Sequence, residues 1–207
     1  MRIVAVVVLV ALAGGCAPPG TAPAAPPSPL VEIPAQMRLS HHGEPGWTRS
    51  DDPQAPGVFQ PCPDQPDPTL VGRVDALTAV GPLTSVGAAV TATLHEQLLL
   101  FATDDAASTA MIALVKAKEA CGWADVMVDW VPGFDSDVMV TSRWLDPPGT
   151  PPHLTTAREE ATVLHRGPAL WLAFREDRGA FAADFEAAPV DVRAELCQVM
   201  GLCYRAN

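Results

Sequence analysis

Hydrophobic and polar positions divide the chain into an apolar start, a proline-rich stretch and a body in which the two kinds of residue alternate. Residues 3–13 form an uncharged apolar run of eleven. This run is too short to cross about 30 Å of hydrocarbon as a helix, which takes roughly 20 residues. Because it follows Arg2, it is typical of the apolar region of a signal peptide. We expect residues 1–15 to be removed during export.

A second pattern, typical of a strand followed by a helix, begins near the middle of the chain. Residues 94–101 end in a compact apolar run that predicts a strand. Thr103 can cap a helix, and two aspartates follow in the first turn, where the helix dipole favours acids. Apolar positions then recur at helical spacing up to Ala120, and Gly122 lies close to the expected end.

Alternating apolar and polar positions predict four more strands in the second half of the chain: residues 126–130, 138–144, 160–165 and 169–174. The last two flank a turn at Arg166-Gly167-Pro168 and form a hairpin. Helices are predicted over residues 180–187 and from Pro189 to Gly201. This order of elements predicts an α+β fold, in which helices pack against an antiparallel sheet.

The region before this body has a different composition. Residues 17–36 are dominated by Pro and Ala, which predicts a semi-extended tether rising about 3.1 Å per residue. Residues 37–69 remain rich in Pro, Asp and Gly and predict irregular chain, its later part held to the body by Cys62. We therefore expect a tether and irregular segment over residues 16–69 and a folded domain over residues 70–207.

The end of the apolar start carries a specific motif. Ala13-Gly14-Gly15-Cys16 resembles the lipobox of bacterial lipoproteins, with Ala13 where that family usually has leucine. The resemblance implies cleavage before Cys16 and several acyl chains, palmitate among them, on that cysteine. Each buried lipid CH₂ contributes about 0.8 kcal/mol, so several chains would anchor the protein stably to the membrane.

Four cysteines remain beyond the motif: Cys62, Cys121, Cys197 and Cys203. An even number in an exported chain predicts disulfides, and four cysteines allow three connectivities. Cys197 and Cys203 flank the expected glycine reversal at the end of the last helix, so we prefer a bridge between them. Cys62 would then bridge to Cys121 after the first long helix. The spacing lacks paired CxxC, so we expect no zinc site.

The charge of the chain limits its partners. Formal net charge is -11, from 13 Lys and Arg against 24 Asp and Glu. Such an acidic surface repels phosphate backbones, so we expect no nucleic-acid partner. It also disfavours adhesion to anionic lipid through basic patches, which leaves the lipid on Cys16 as the expected membrane contact. The Lys-poor composition, rich in Ala, Pro and Arg, suggests a GC-rich actinobacterial genome.

Common catalytic motifs each fail at a named position. His95-Glu96 begins like a zinc-protease HExxH, but Leu99 stands where the second histidine is needed. A calcium loop counted from Asp135 has Val140 at the position that needs glycine. No serine lies in G-x-S-x-G, and no glycine-rich phosphate loop is present. We therefore expect no enzymatic activity, no metal and no cofactor.

The tryptophans supply the best candidate ligand contacts. Core packing is the default role of a tryptophan, and lining a ligand site is the alternative. On the second interpretation a cleft is lined by Trp130, Trp144 and Trp171, with Arg143 or Arg166 orienting an acidic group. Strand alternation does not decide which of these residues face a cleft and which face the helices.

Two segments after residue 97 carry a family resemblance, LLLFATDDAASTAMIALVKAKEAC and HRGPALWLAF. Through them, residues 97 to the C-terminus resemble the extracellular sensor domain of mycobacterial serine/threonine kinases of the PknH type, a module that free lipoproteins also carry. Trp123 follows Cys121, whereas the family has a tryptophan just before that cysteine. The resemblance implies an antiparallel sheet with helices, disulfides and a cleft for an unknown ligand, and it implies no catalytic residue.

Together these features favour a membrane-anchored lipoprotein on the extracytoplasmic face of the cell membrane, acting as a non-enzymatic ligand-binding or sensor module. Its partner would be an unknown small molecule or a component of the cell envelope. Two alternatives stay open. One is a secreted cell-envelope hydrolase with an unrecognised site, and the other is an envelope assembly partner without a small ligand.

Overall fold

The computed structural model describes residues 30–39, 45–84, 91–125, 138–144, 157–178 and 189–203. The signal segment and Cys16 lie outside these residues. So do the strand predicted at 126–130 and the helix predicted at 180–187.

The described strands form one antiparallel sheet in the order β1-β2-β3-β7-β6-β5-β4. Their bounds are β1 Thr48–Ser50, β2 Arg73–Thr84, β3 Thr91–Phe101, β4 Ala124–Asp125, β5 Val138–Trp144, β6 Ala157–Arg166 and β7 Ala169–Arg178. Within the same described residues two helices accompany the sheet, α1 Asp104–Ala120 and α2 Pro189–Met200, together with a 3-10 turn at Pro68–Leu70. The predicted α+β class is confirmed.

The sheet has a hydrophobic core on each face because its central strands are apolar at successive positions. On β7, Leu170 and Leu172 pack with Leu114 of α1, whereas Trp171 lies between them and packs with Leu196 of α2. All five side chains are fully buried. Strands buried on both faces are continuous apolar runs, as in Leu98 to Phe101 of β3.

Helix α1 begins and ends where the sequence predicts. Thr103 is the N-cap, and its hydroxyl accepts a hydrogen bond of 3.1 Å from the backbone N–H of Ala106. Asp104 and Asp105 occupy the first turn, where they oppose the helix dipole. Gly122 follows the C-cap with φ +76°, a left-handed conformation that glycine adopts without steric cost.

Helix α2 ends in a glycine reversal that positions the last cysteine. Gly201 has φ +70°, and the N–H of Leu202 donates to the carbonyl of Leu196 at 3.0 Å. This closure turns the chain back on the helix. Cys203 therefore reaches Cys197, and the disulfide predicted between them is present. The disulfide predicted between Cys62 and Cys121 is present as well.

The composition predicts that the folded part of the chain begins at residue 70, but in the structure it begins well before that residue. Met37 is fully buried and Leu39 is 6% exposed, and both belong to the core beneath α2. Phe59 is fully buried in the core beneath α1. Pro-rich composition predicts irregular backbone, but it carries no information on where isolated apolar side chains pack. Most of residues 45–69 is indeed irregular in backbone, yet it covers the sheet.

Candidate functional site

Residues 55–62, here called the strap, cross the α1 face of the sheet and are fixed by side chains from two strands. Gln97 of β3 is fully buried; its Nε2 donates to the carbonyl of Pro56 and its Oε1 accepts from the N–H of Val58, both at 3.1 Å. Arg73 of β2 donates to the carbonyl of Ala55 at 2.7 Å. The strap has no ladder partner, so these side chains satisfy its backbone groups.

The loop that follows the strap is closed by a carboxylate. Asp67 accepts hydrogen bonds from the N–H of Gly57 at 2.6 Å and from the N–H and hydroxyl of Thr69 at 2.8 and 2.7 Å. Burial lowers the pKa of the nearby Arg73 guanidinium, while the charges of Asp67 and Asp52 oppose that shift. An arginine stays protonated under such a shift, so Arg73 keeps its positive charge at neutral pH.

The far end of the strap meets the segment after α1. The indole Nε1 of Trp123 donates to the carbonyl of Pro61 at 3.1 Å, and the Cys62–Cys121 disulfide lies next to it. Phe59 packs edge-on against Trp123 with ring centroids 4.9 Å apart. Trp123 is therefore held by a hydrogen bond, a disulfide neighbour and an aromatic contact, which is a rigid support for a site.

Arg143 of β5 lies on the ring of Trp123. Its guanidinium carbon is 4.6 Å from the ring centroid, within cation–π range. Nε and Nη2 of Arg143 both donate to one carboxylate oxygen of Glu159 on β6, at 3.0 and 2.6 Å. The side chain of Arg143 is 29% exposed and that of Glu159 is 14% exposed. The pair is thus accessible from solvent, and the Trp123 ring on which the guanidinium lies helps to fix its orientation.

Two partly buried rings complete this arrangement. Phe174 lies 6.4 Å from Trp123, and His95 lies 5.9 Å from Phe174, measured between ring centroids. We call Trp123, Arg143, Glu159, Phe174 and His95 the Arg143 cluster. It combines a guanidinium, a carboxylate and aromatic surfaces at the end of the sheet where β5 finishes and β3 begins. Such groups suit the binding of a molecule with an acidic group and a flat apolar part.

The structure brings one of the five predicted ligand contacts into this cluster. Arg143 belongs to it, whereas Trp171 is fully buried in the core on the opposite face. Arg166 is half-buried at the other end of β6, opposite Ala169. The backbone of Trp144 pairs with that of Arg158 at the end of β5, and residue 130 lies outside the described part of the chain.

Sequence reasoning missed Trp123 as a site residue. The available signal was its position two residues after Cys121, beyond the glycine that ends the helix. A side chain so close to a disulfide is held in place. The contact with Arg143, 20 residues away along the chain, depends on the pairing of β4 with β5 and has no local sequence signal.

A second concave feature lies on the outer surface of α1. The α1 groove is an open cavity of about 380 Å³ between α1 and residues 60–68. Proline and alanine make up about half of its lining, and its polar residues are Gln60, Gln65, Asp67 and Lys116. The proline and alanine residues are Pro61, Pro66, Pro68, Ala113, Ala117 and Ala120. The groove is separate from the Arg143 cluster, since it lies on the solvent side of the helix.

Among the described residues, no group of three or more His, Cys, Asp or Glu side chains is arranged to hold a metal ion. In the same part of the chain, no helix is both long and apolar enough to span a membrane.

Comparison with known proteins gives no family. No family model matches this sequence, and no curated protein is similar to it.

Proposed function

We propose that this protein is an exported lipoprotein, anchored through Cys16 to the extracytoplasmic face of the cell membrane, whose domain binds a ligand and does not catalyse a reaction. The observation that carries the proposal is the order of features at the start of the chain. An apolar run of signal-peptide length leads into Ala13-Gly14-Gly15-Cys16, and a proline-rich tether follows directly.

The disulfides support an extracytoplasmic location. Cys62 pairs with Cys121 and Cys197 with Cys203, so the four cysteines after Cys16 are all used. Structural disulfides persist in oxidising compartments and are rare in the cytosol. A chain exported through a signal peptide would acquire them outside the cytoplasmic membrane.

The Arg143 cluster is the proposed ligand site. A ligand carboxylate or phosphate would be held by Nη1 of Arg143, while Nε and Nη2 stay on Glu159. The half-buried rings of Phe174 and His95 would contact a flat apolar part of the ligand. Because Trp123 and Glu159 fix the guanidinium beforehand, little side-chain entropy is lost on binding.

Ligand binding is tested by thermal unfolding of the purified full chain against acidic envelope lipids and glycans. A ligand present at 100 times its dissociation constant stabilises by about 2.7 kcal/mol. Arg143→Ala should remove that stabilisation. Arg166→Ala is the matched control because it removes the same charge at the other end of β6, and it should retain the stabilisation. Equal responses of both variants would reject the Arg143 cluster as the site.

The non-catalytic part of the proposal has its own test. The same protein is incubated with generic ester, peptide and glycoside substrates, and product formation is followed. We expect no product above a buffer control. Turnover that copurifies with the protein and changes with a point substitution in it would replace the binding proposal with a hydrolase.

A further inference from the structure

Large apolar side chains are exposed beside the N-terminal half of α1, on a chain whose net charge is -11. Val71 is 76% exposed, Leu70 42%, and Ile112 on α1 itself 52%. The 3-10 turn that Leu70 ends packs against α1. We call the exposed side chains of Leu70 and Val71 the apolar projection. A Cβ placed on the adjacent Gly72 would lie 3.2 Å from Cβ of Ala106, which locates this projection beside the first turns of the helix.

The α1 groove lies beside the C-terminal half of the same helix. Its helical wall consists of Ala113, Lys116, Ala117 and Ala120. Its other wall, residues 60–68, leads directly into the 3-10 turn, so projection and groove lie along one side of α1. One face of the protein therefore carries an apolar projection near residue 106 and an apolar groove near residue 116.

We propose that this face binds the same face of a second copy, with the two α1 helices antiparallel about a two-fold axis near residues 110–111. A projection and a groove at opposite ends of one helix become mutually complementary only when the partner helix runs in the opposite direction. Val71 of each copy then enters the α1 groove of the other. Ile112 lies next to the axis and packs against the partner's helix. The inference goes beyond the proposed function and does not depend on it.

Charge places the axis at the same point. Asp105 and Lys116 are exposed on the outer surface of α1, eleven residues or about 16 Å apart. In the antiparallel arrangement each Asp105 faces the Lys116 of the other copy, and the midpoint of the two positions is again the turn at residues 110–111. The apolar shape and this one charge pair agree on the same two-fold arrangement, which antiparallel helix dipoles favour as well, whereas the exposed Glu119 would lie near the acidic first turn of the other copy.

Cross-linking of the full chain in an export-competent bacterial host tests the arrangement. Thr109→Cys places a thiol next to the axis, and a short bis-maleimide should join two copies into a product of twice the mass. Val31→Cys is the matched control, since Val31 is 72% exposed and belongs to the segment that packs on the α2 face. It should give at most one tenth of the Thr109→Cys product. Equal products from the two variants would overturn the proposal.

A charge exchange distinguishes this contact from chance proximity at the membrane. In the Thr109→Cys background, Asp105→Lys or Lys116→Asp alone should reduce the product several-fold, because each sets like charges opposite one another. The double exchange should restore it. Val71→Gly should reduce it several-fold by removing the side chain that fills the groove. Unchanged cross-linking in both single variants, or loss without recovery in the double variant, would refute the two-fold arrangement.

Discussion

The indole ring of Trp47 lies directly against Gly81 of β2, in the space that a Cβ at position 81 would occupy. Gly81→Ala should therefore displace the ring and disturb the core beneath α2, which Trp47 partly covers. Overpacking of this kind costs about 1–3 kcal/mol. Urea unfolding measures it, and Trp47→Ala combined with Gly81→Ala serves as control. The alanine at 81 should cost little once the ring is gone, and an equal cost in both backgrounds would refute the contact.

The buried amide of Gln97 should be essential for the strap. Gln97→Leu removes both partners of the strap and leaves the N–H of Val58 and the carbonyl of Pro56 without their hydrogen bonds. We expect a loss of about 2–4 kcal/mol, since an unsatisfied group costs about 1–3 kcal/mol. Gln97→Glu keeps the acceptor for Val58 but loses the donor to Pro56. A stability equal to the unsubstituted protein in Gln97→Leu would contradict the assigned role.

Arg143 and Glu159 should be energetically coupled. Arg143→Ala also loses the contact with Trp123, so a double-mutant cycle with Glu159→Gln is needed to isolate the pair. Because Arg143 is partly exposed, we expect a coupling of only about 0.5–1 kcal/mol, which salt should reduce. Unfolding at low and high ionic strength measures it. A coupling indistinguishable from zero at low salt would show that Glu159 does not fix the guanidinium.

The two disulfides should differ in their contribution to stability. The Cys62–Cys121 bridge spans 59 residues and the Cys197–Cys203 bridge spans 6. Chain-entropy arguments assign the longer loop about 4 kcal/mol and the shorter about 2 kcal/mol. Thermal unfolding of the two paired Cys→Ala variants should show the larger loss for the first. The reverse order would contradict the entropic explanation, and free thiols in the mature protein would contradict the disulfides themselves.

The sequence predicted those elements whose signals are local. The cap at Thr103 and the glycine after Cys121 predicted the bounds of α1, and Gly167 predicted the turn of the last hairpin, because each signal depends on residues close together in the chain. The outer ends of the hairpin have no such signal, and its strands extend beyond the predicted 160–165 and 169–174 to 157–166 and 169–178. The strand from Arg73 was not recognised, since Gly81 and Pro82 interrupt its pattern. Pro82 lies opposite Thr93 of β3 and beyond residues 78–80, to which β1 pairs, so its missing N–H breaks no hydrogen bond to β1.

The candidate site was less accessible to sequence reasoning. Period-two alternation placed Trp171 and its neighbours on opposite faces but did not show that α1 and α2 cover both, which buries Trp171 completely. Met37 and Phe59 are buried in the two cores, although they belong to a stretch whose composition predicts irregular chain. The position of Trp123 beneath Arg143 follows from strand pairing over a long sequence separation, which no short pattern encodes.

Lipid attachment at Cys16 tests the central claim most directly. Cells expressing the full chain are labelled with a palmitate analogue, and the protein is isolated and probed for the label. The account predicts label on the unsubstituted chain and on an Ala17→Ser control. It predicts no label on Cys16→Ser, which lacks the thiol but keeps both disulfides. Label that persists on Cys16→Ser, or an unsubstituted chain that is exported without any label, would contradict the account.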